Sequence, residues 1–169
     1  MTAFQDPPSA LSRADFVARF GGVYEHSPWV AEAVWDGGTV ADRVEALAEA
    51  MRAVVEAAPE AARLALLHAH PDLAGRLALA GKLTADSSAE QAAAGLDRCT
   101  PEELVAFQSL NTAYRARFGF PFIVAVRGLT RQAILDRFGE RLGNSAATEF
   151  RTALDEVHRI ARLRLEAMA

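Results

Sequence analysis

The sequence predicts an all-α fold, a single domain over residues 1–169 with about eight helices, the number of capped segments. Capping residues punctuate the chain at regular intervals. Between them, apolar residues recur at spacings of three and four. The single short apolar run with branched and aromatic character, at 120–126, has no second strand pattern to pair with, and the alanine-rich composition favours helix.

Ser12 caps a short helix that runs to Phe20, with Asp15 at its third position and Gly21-Gly22 ending it. Ser27 followed by Pro28 reads as a cap with proline at the first helical position, and "WVAEAVW" then stops at Gly37-Gly38. Thr39 is the predicted cap of the next helix, with Asp42 in its first turn. Val44, Leu47, Met51, Val54 and Val55 recur at helical spacing up to Pro59. Residues 60–69 form a further helix running into His70. Asp72 is predicted to cap a short helix over "LAGRLALAG". Ser87 and Glu90 match the S-x-x-E capping box, and Thr100, Pro101 and Glu103 repeat that signature before a helix ending at Gly119. Thr130 caps a helix to about Arg141, and Asn144 or Ser145 opens the last one.

With 51% apolar and 24% charged residues the chain is globular, and a net charge of -4 offers no basic face to nucleic acid. The lone cysteine, Cys99, allows no internal disulfide and suits a reducing cytosol. No apolar run is long enough to span a membrane, and the N-terminus lacks the basic-then-apolar pattern of a signal peptide. The ending "LEAMA" is not a peroxisomal tripeptide. These features lead us to expect a cytoplasmic protein.

"HAHPDLAG", His68 to Gly75, is the first stretch that can carry chemistry. A metal-dependent hydrolase would use His68, His70 and Asp72. Residues two apart on a helix point about 200° from each other, however, so the histidines diverge and no metal site is expected. His70 by itself has two readings. Pro71 disfavours helical dihedrals at His70, which leaves the imidazole at a helix C-terminus, where the partial negative charge favours the protonated ring and suits a general acid. Alternatively, His70 only stops the helix and bonds a terminal carbonyl.

Ser87 and Glu90 are explained by a capping box, but a helix N-terminus also offers free amides, and Gln91 adds a side-chain amide able to pair with a ureido or imide edge. In the last helix Phe150, Leu154, Val157, Ala161 and Met168 define an apolar face on which Arg164 sits. Arg164 either snorkels to solvent or aims its guanidinium into a pocket, gripping a carboxylate or carbonyl pair. "GFPFIVAV" is either a connector through the core or a backbone edge for a planar polar ligand. His26 precedes a cap beside the core residues Tyr24 and Trp29.

"FGGVYEHSPWVAE", "HPDLAG", "LTADSSAEQAAAGL", "LNTAYRARFGFPFIVAV" and "EVHRIARLRL" together resemble the 2-oxo-4-hydroxy-4-carboxy-5-ureidoimidazoline (OHCU) decarboxylases, in order and over nearly the whole chain. The resemblance implies an all-helical, cofactor-free and commonly dimeric enzyme. Its reaction would be the last step from urate to allantoin, decarboxylation with stereospecific protonation to (S)-allantoin. It assigns catalysis to His70 and Glu90. It assigns substrate contacts to Pro71, Ser87, Ser88, Glu90, Gln91, the backbone of Phe122, Ile123, Val124, Ala125 and Val126, and Arg164. Such a ring can hold the electron density left by carbon dioxide in its own carbonyl and ureido groups, so the protein need only orient the carboxylate and supply a proton. A helical binding module without activity is the remaining alternative. It would have lost the histidine, the glutamate or the arginine, and all three are present.

Overall fold

The computed structural model describes residues 1–169, apart from the side chain of Leu77. Nine α-helices and two short 3-10 turns are found among the described residues, and no strand; the one pairing of extended backbone is an isolated bridge between Ala3 and Arg43. The all-α expectation holds, and each of the nine helices falls on a segment that the sequence marks as helical, against a total expected at about eight. No helix among the described residues is long and apolar enough to cross a membrane.

The chain divides into two compact units, residues 1–69 with 157–169, and residues 70–156. The first contains α1 (Arg13–Phe20), α2 (Trp29–Asp36), α3 (Val44–Ala57), α4 (Glu60–His68) and the C-terminal part of α9 (Ala146–Ala167). Its buried residues include Phe16, Phe20, Val34, Val44, Leu47, Met51, Val55, Leu66 and Leu67, the apolar positions that the helical spacing marks. Phe16 and Phe20, one turn apart, pack with ring centroids 4.9 Å apart. Ser12 caps α1 as predicted, accepting the Asp15 amide.

Three predicted caps of this region and the next do something else. The Ser27 hydroxyl donates back to the Glu25 carbonyl at 2.8 Å, and α2 starts at Trp29. Thr39 donates to the Val34 carbonyl at 3.2 Å, so it closes the end of α2 instead of opening α3. Asp42, predicted in the first turn of α3, is taken by the Ser9 amide and hydroxyl, both at 2.8 Å, and α3 starts at Val44, four residues later than a cap at Thr39 would place it. Asp72 is drawn into an ion pair, described below, and Gly75 occupies the N-cap of the next helix.

The second unit contains α5 (Arg76–Leu79), α6 (Ala85–Ala93), α7 (Pro101–Phe118), α8 (Arg131–Leu142) and the start of α9. The box at Thr100 and Glu103 opens α7 as predicted, and Thr130 caps α8. The box expected at Ser87 and Glu90 is absent. Thr84 caps α6 by accepting the Ser87 amide, which moves the helix start three residues upstream and lengthens the helix at no capping cost. Tyr114, Phe122 and Phe138 form the centre of this unit. Phe122 stacks on Phe138 at 3.8 Å, and Tyr114 meets Phe122 edge-on at 5.4 Å.

Candidate active site

The second unit begins at His70, directly after the last residue of α4's C-cap, Ala69. His70 is 6% exposed, whereas His68 faces solvent, so the two histidines diverge as the helical spacing requires. No group of three or more His, Cys, Asp or Glu able to hold a metal ion is found among the described residues.

The chain after Pro71 makes a tight turn that is held from several sides. Ala74 adopts φ +48°, a left-handed conformation uncommon for any residue with a side chain. A Cβ on Gly75 would lie 2.6 Å from the Asp72 Cβ, so the turn closes to a distance that glycine alone tolerates. The Gln91 side chain spans the turn: its Oε1 accepts the Ala74 amide at 3.0 Å and its Nε2 donates to the Asp72 carbonyl at 3.3 Å. Asn111 donates to the Leu73 carbonyl at 3.0 Å, and Arg115 Nε to both oxygens of the Asp72 carboxylate at 3.0 and 3.2 Å.

Gln91 brings the α6 face to this turn. Ser87 and Gln91 are buried and Glu90 is half-buried, one helical turn apart on a common face, while Ser88 is exposed. The polar groups assigned to Ser87, Glu90 and Gln91 thus share one side of α6, and Ser88 does not.

Phe122 to Val126 are all buried and form a non-helical segment without strand pairing. Side chains grip its backbone at two points. Arg141 donates to the Ile123 carbonyl, and the Ala125 amide donates to Glu156 Oε2 at 2.8 Å. Arg141 is itself fixed, with its Nε 2.6 Å from Glu149 Oε1 and its guanidinium 4.4 Å from the Phe122 ring centroid. Glu149 is fully buried and also accepts from the Tyr114 hydroxyl at 2.5 Å and Asn144 at 3.0 Å. Burial, followed by the Glu149 bond, pushes the Tyr114 phenol far up, so it stays a donor. Among the described residues, no hydrogen bond within the chain reaches the amides of Ile123 and Val124 or the carbonyls of Val124 and Ala125. Buried backbone groups are nearly always paired. This short edge is therefore a place where a planar polar molecule can supply donors and acceptors.

Helix α7 supports both features. Asn111 and Arg115 hold the turn after His70, and Tyr114, on the same helix, packs against Phe122. A groove of about 460 Å³ in this unit, lined by residues including Arg98, Glu103 and Arg131, contains none of the predicted site residues.

Arg164 lies in the first unit, 7% exposed, with Nη1 2.8 Å from the buried Glu25 and close to the Gly22 and Val23 carbonyls. The partner that a buried guanidinium requires is therefore Glu25, inside the "VYEHSPW" stretch. In the same unit His158 is buried between the Tyr24 hydroxyl (2.7 Å) and Glu56 (2.9 Å), while His26 is exposed at φ +47°.

Sequence reasoning missed Asn111, Arg115, Arg141, Glu149 and Glu156. Asn111 had a readable signal, because it sits on the apolar face of α7 between Phe107 and Tyr114, as Arg164 does on its own helix. Glu149 had none: a glutamate in the first turn of a helix is explained by the helix dipole.

Residues 9–166 match the OHCU decarboxylase family. The chain is 48% identical over 155 residues to the 2-oxo-4-hydroxy-4-carboxy-5-ureidoimidazoline decarboxylase of Haloferax volcanii, covering 92% of this chain and 89% of that one. It is 44% identical over 161 residues to the protein of the same name from Halalkalicoccus jeotgali, covering 94% and 89%. Its fold is similar to the crystal structure of an (S)-allantoin synthase, at a TM-score of 0.76 and 36% identity, over 95% of this chain and 52% of that one. Matched over residues 9–166, from before its first α-helix into its last, the chain belongs to the OHCU decarboxylase family, a family of carboxy-lyases.

Proposed function

We propose that this protein decarboxylates 2-oxo-4-hydroxy-4-carboxy-5-ureidoimidazoline to (S)-allantoin and carbon dioxide without a cofactor, with His70 as the acid–base residue. The observation that carries the reading is the unpaired main-chain edge at Ile123–Ala125, in the same unit as a buried histidine at the head of a tightly held turn. A ureido-substituted ring has N–H donors and carbonyl acceptors in one plane, the complement of such an edge. Ser87, Glu90, Gln91 and the backbone of 122–126 orient the ring, and Pro71 lines the site. Glu90 holds and tunes His70, so that protonation occurs on one face of the carbanion left by carbon dioxide. Arg164, a candidate grip on the substrate carboxylate, and Ser88 enter this reading from the resemblance alone. We further take residues 1–169 as one domain, and the protein as a cytoplasmic homodimer. Light scattering at the mass of one chain would overturn the dimer.

The test uses urate with urate oxidase and hydroxyisourate hydrolase, followed by circular dichroism at the allantoin band. Adding the protein should produce a rapid (S)-allantoin signal, and His70→Ala should slow it by about two to four orders of magnitude, the usual worth of general acid–base catalysis. No acceleration by the wild-type protein, or near-normal turnover by His70→Ala, overturns the reading. Because Thr84 caps α6, Glu90→Gln probes chemistry without disturbing a cap.

A further inference from the structure

We propose that Asn111 and Arg115 are positioning residues for His70: one face of α7 clamps the turn after Pro71 and thereby sets the direction of the imidazole. The proposal rests on the reading of His70 as the acid–base group.

The turn does not hold itself. A left-handed alanine is a conformation that persists only where the surroundings over-determine it. Two of the determining groups come from α7. Asn111 and Arg115 are four residues apart, so they project from one face of the helix. The Asn111 amide can be oriented in one way only. Its partner is the Leu73 carbonyl, which accepts and cannot donate, so Nδ2 must face it. Asn111 is 6% exposed, and its Oδ1 is buried without a partner in the chain. An amide placed for packing alone would not be left in that state. The single bond to Leu73 is what Asn111 supplies, three residues from His70. Arg115 fixes the Asp72 carboxylate, two residues from His70, through both of its oxygens. With Gln91 holding the Ala74 amide from α6, every residue from 72 to 74 is tied by a side chain outside the turn. Loosening the turn leaves the substrate edge at 122–126 in place and lets the imidazole swing.

Asn111→Asp is nearly isosteric and replaces the donor with an acceptor facing a carbonyl. It should lower kcat about 10- to 100-fold, the scale of a misplacement near 1 Å, with KM changed less than about threefold. In the His70→Ala background the same substitution should have no further effect on rate, because its action passes through the imidazole. The ring ¹⁵N resonances of His70, identified by their loss in His70→Ala, should shift or broaden in Asn111→Asp while those of His26 stay put. Arg115→Gln should do the same more weakly, and Arg115→Lys should restore part of the rate. If Asn111→Asp does not fold, Arg115→Gln, at a half-exposed side chain, carries both readouts. Unchanged His70 resonances in a folded variant, or rate losses that multiply with His70→Ala, overturn the clamp. A wild-type protein that makes no allantoin overturns the functional reading instead, and the resonances still decide the clamp.

Discussion

Replacing Arg141 with methionine isolates what the buried ion pair contributes. Arg141 Nε lies 2.6 Å from Glu149, a carboxylate with no exposed surface, and Arg141 also donates to the Ile123 carbonyl. Methionine keeps the stem against Phe122 but removes the charge. The Glu149 carboxylate of the variant then has only the neutral donors Tyr114 and Asn144. Removing one partner of a buried ion pair leaves the other charge uncompensated and costs about 3–5 kcal/mol. The orphaned Ile123 carbonyl adds about 1–3 kcal/mol. In thermal melts followed by far-ultraviolet circular dichroism, the variant should melt about 10–30 °C below wild type. Adding Glu149→Gln to Arg141→Met removes the buried charge and should recover part of that difference. A single variant that melts with wild type, or no recovery in the double variant, refutes the reasoning, since it would mean that the Glu149 charge does not need its arginine.

The Thr100 amide, followed by the Arg131 guanidinium, holds the Glu103 carboxyl below the usual range. Its contribution is present above the unfolded carboxylate pKa and is lost as pH falls. The melting temperature of Glu103→Gln should thus lie below wild type at pH 7 and approach it as pH falls below the usual carboxylate range; parallel curves would contradict this. Gly75→Ala forces a Cβ to within 2.6 Å of the Asp72 Cβ. It should destabilise by about 1–3 kcal/mol and lower kcat by more than Tm alone accounts for, and a variant with wild-type Tm and kcat would show that the turn has slack.

Helix type and position were legible in the sequence because capping chemistry is local. Ser12, Thr100 and Thr130 cap the helices assigned to them. Some assignments fail locally, as at Ser27 and Thr39, whose hydroxyls turn to carbonyls two and five residues back; others fail where a distant partner displaces the local role. Asp42 is claimed by Ser9, and Asp72 by Arg115, across more than thirty residues of chain. At Ser87 and Glu90 two equally good caps compete, and the upstream threonine gains a longer helix. The site divides in the same way. Arg164 stood out because a charge on an apolar seam breaks a pattern, and its need for a partner was foreseeable, but periodicity cannot name Glu25, 139 residues away. Glu149 and Glu156 break no pattern, and their service to the 122–126 backbone exists only in three dimensions.

The main-chain edge at Ile123–Ala125 has a consequence for how this protein tolerates change. A contact made by amides and carbonyls is present whatever residue occupies the position. In a saturation library, apolar exchanges of matched size at Val124 or Ala125 leave every amide and carbonyl of the edge in place. Intolerance moves to Arg141 and Glu156, which grip that backbone and which the notion of a binding residue would pass over. Under the proposed function, altering the choice of ligand along this edge therefore calls for remodelling the anchors behind the strip, not repainting its surface.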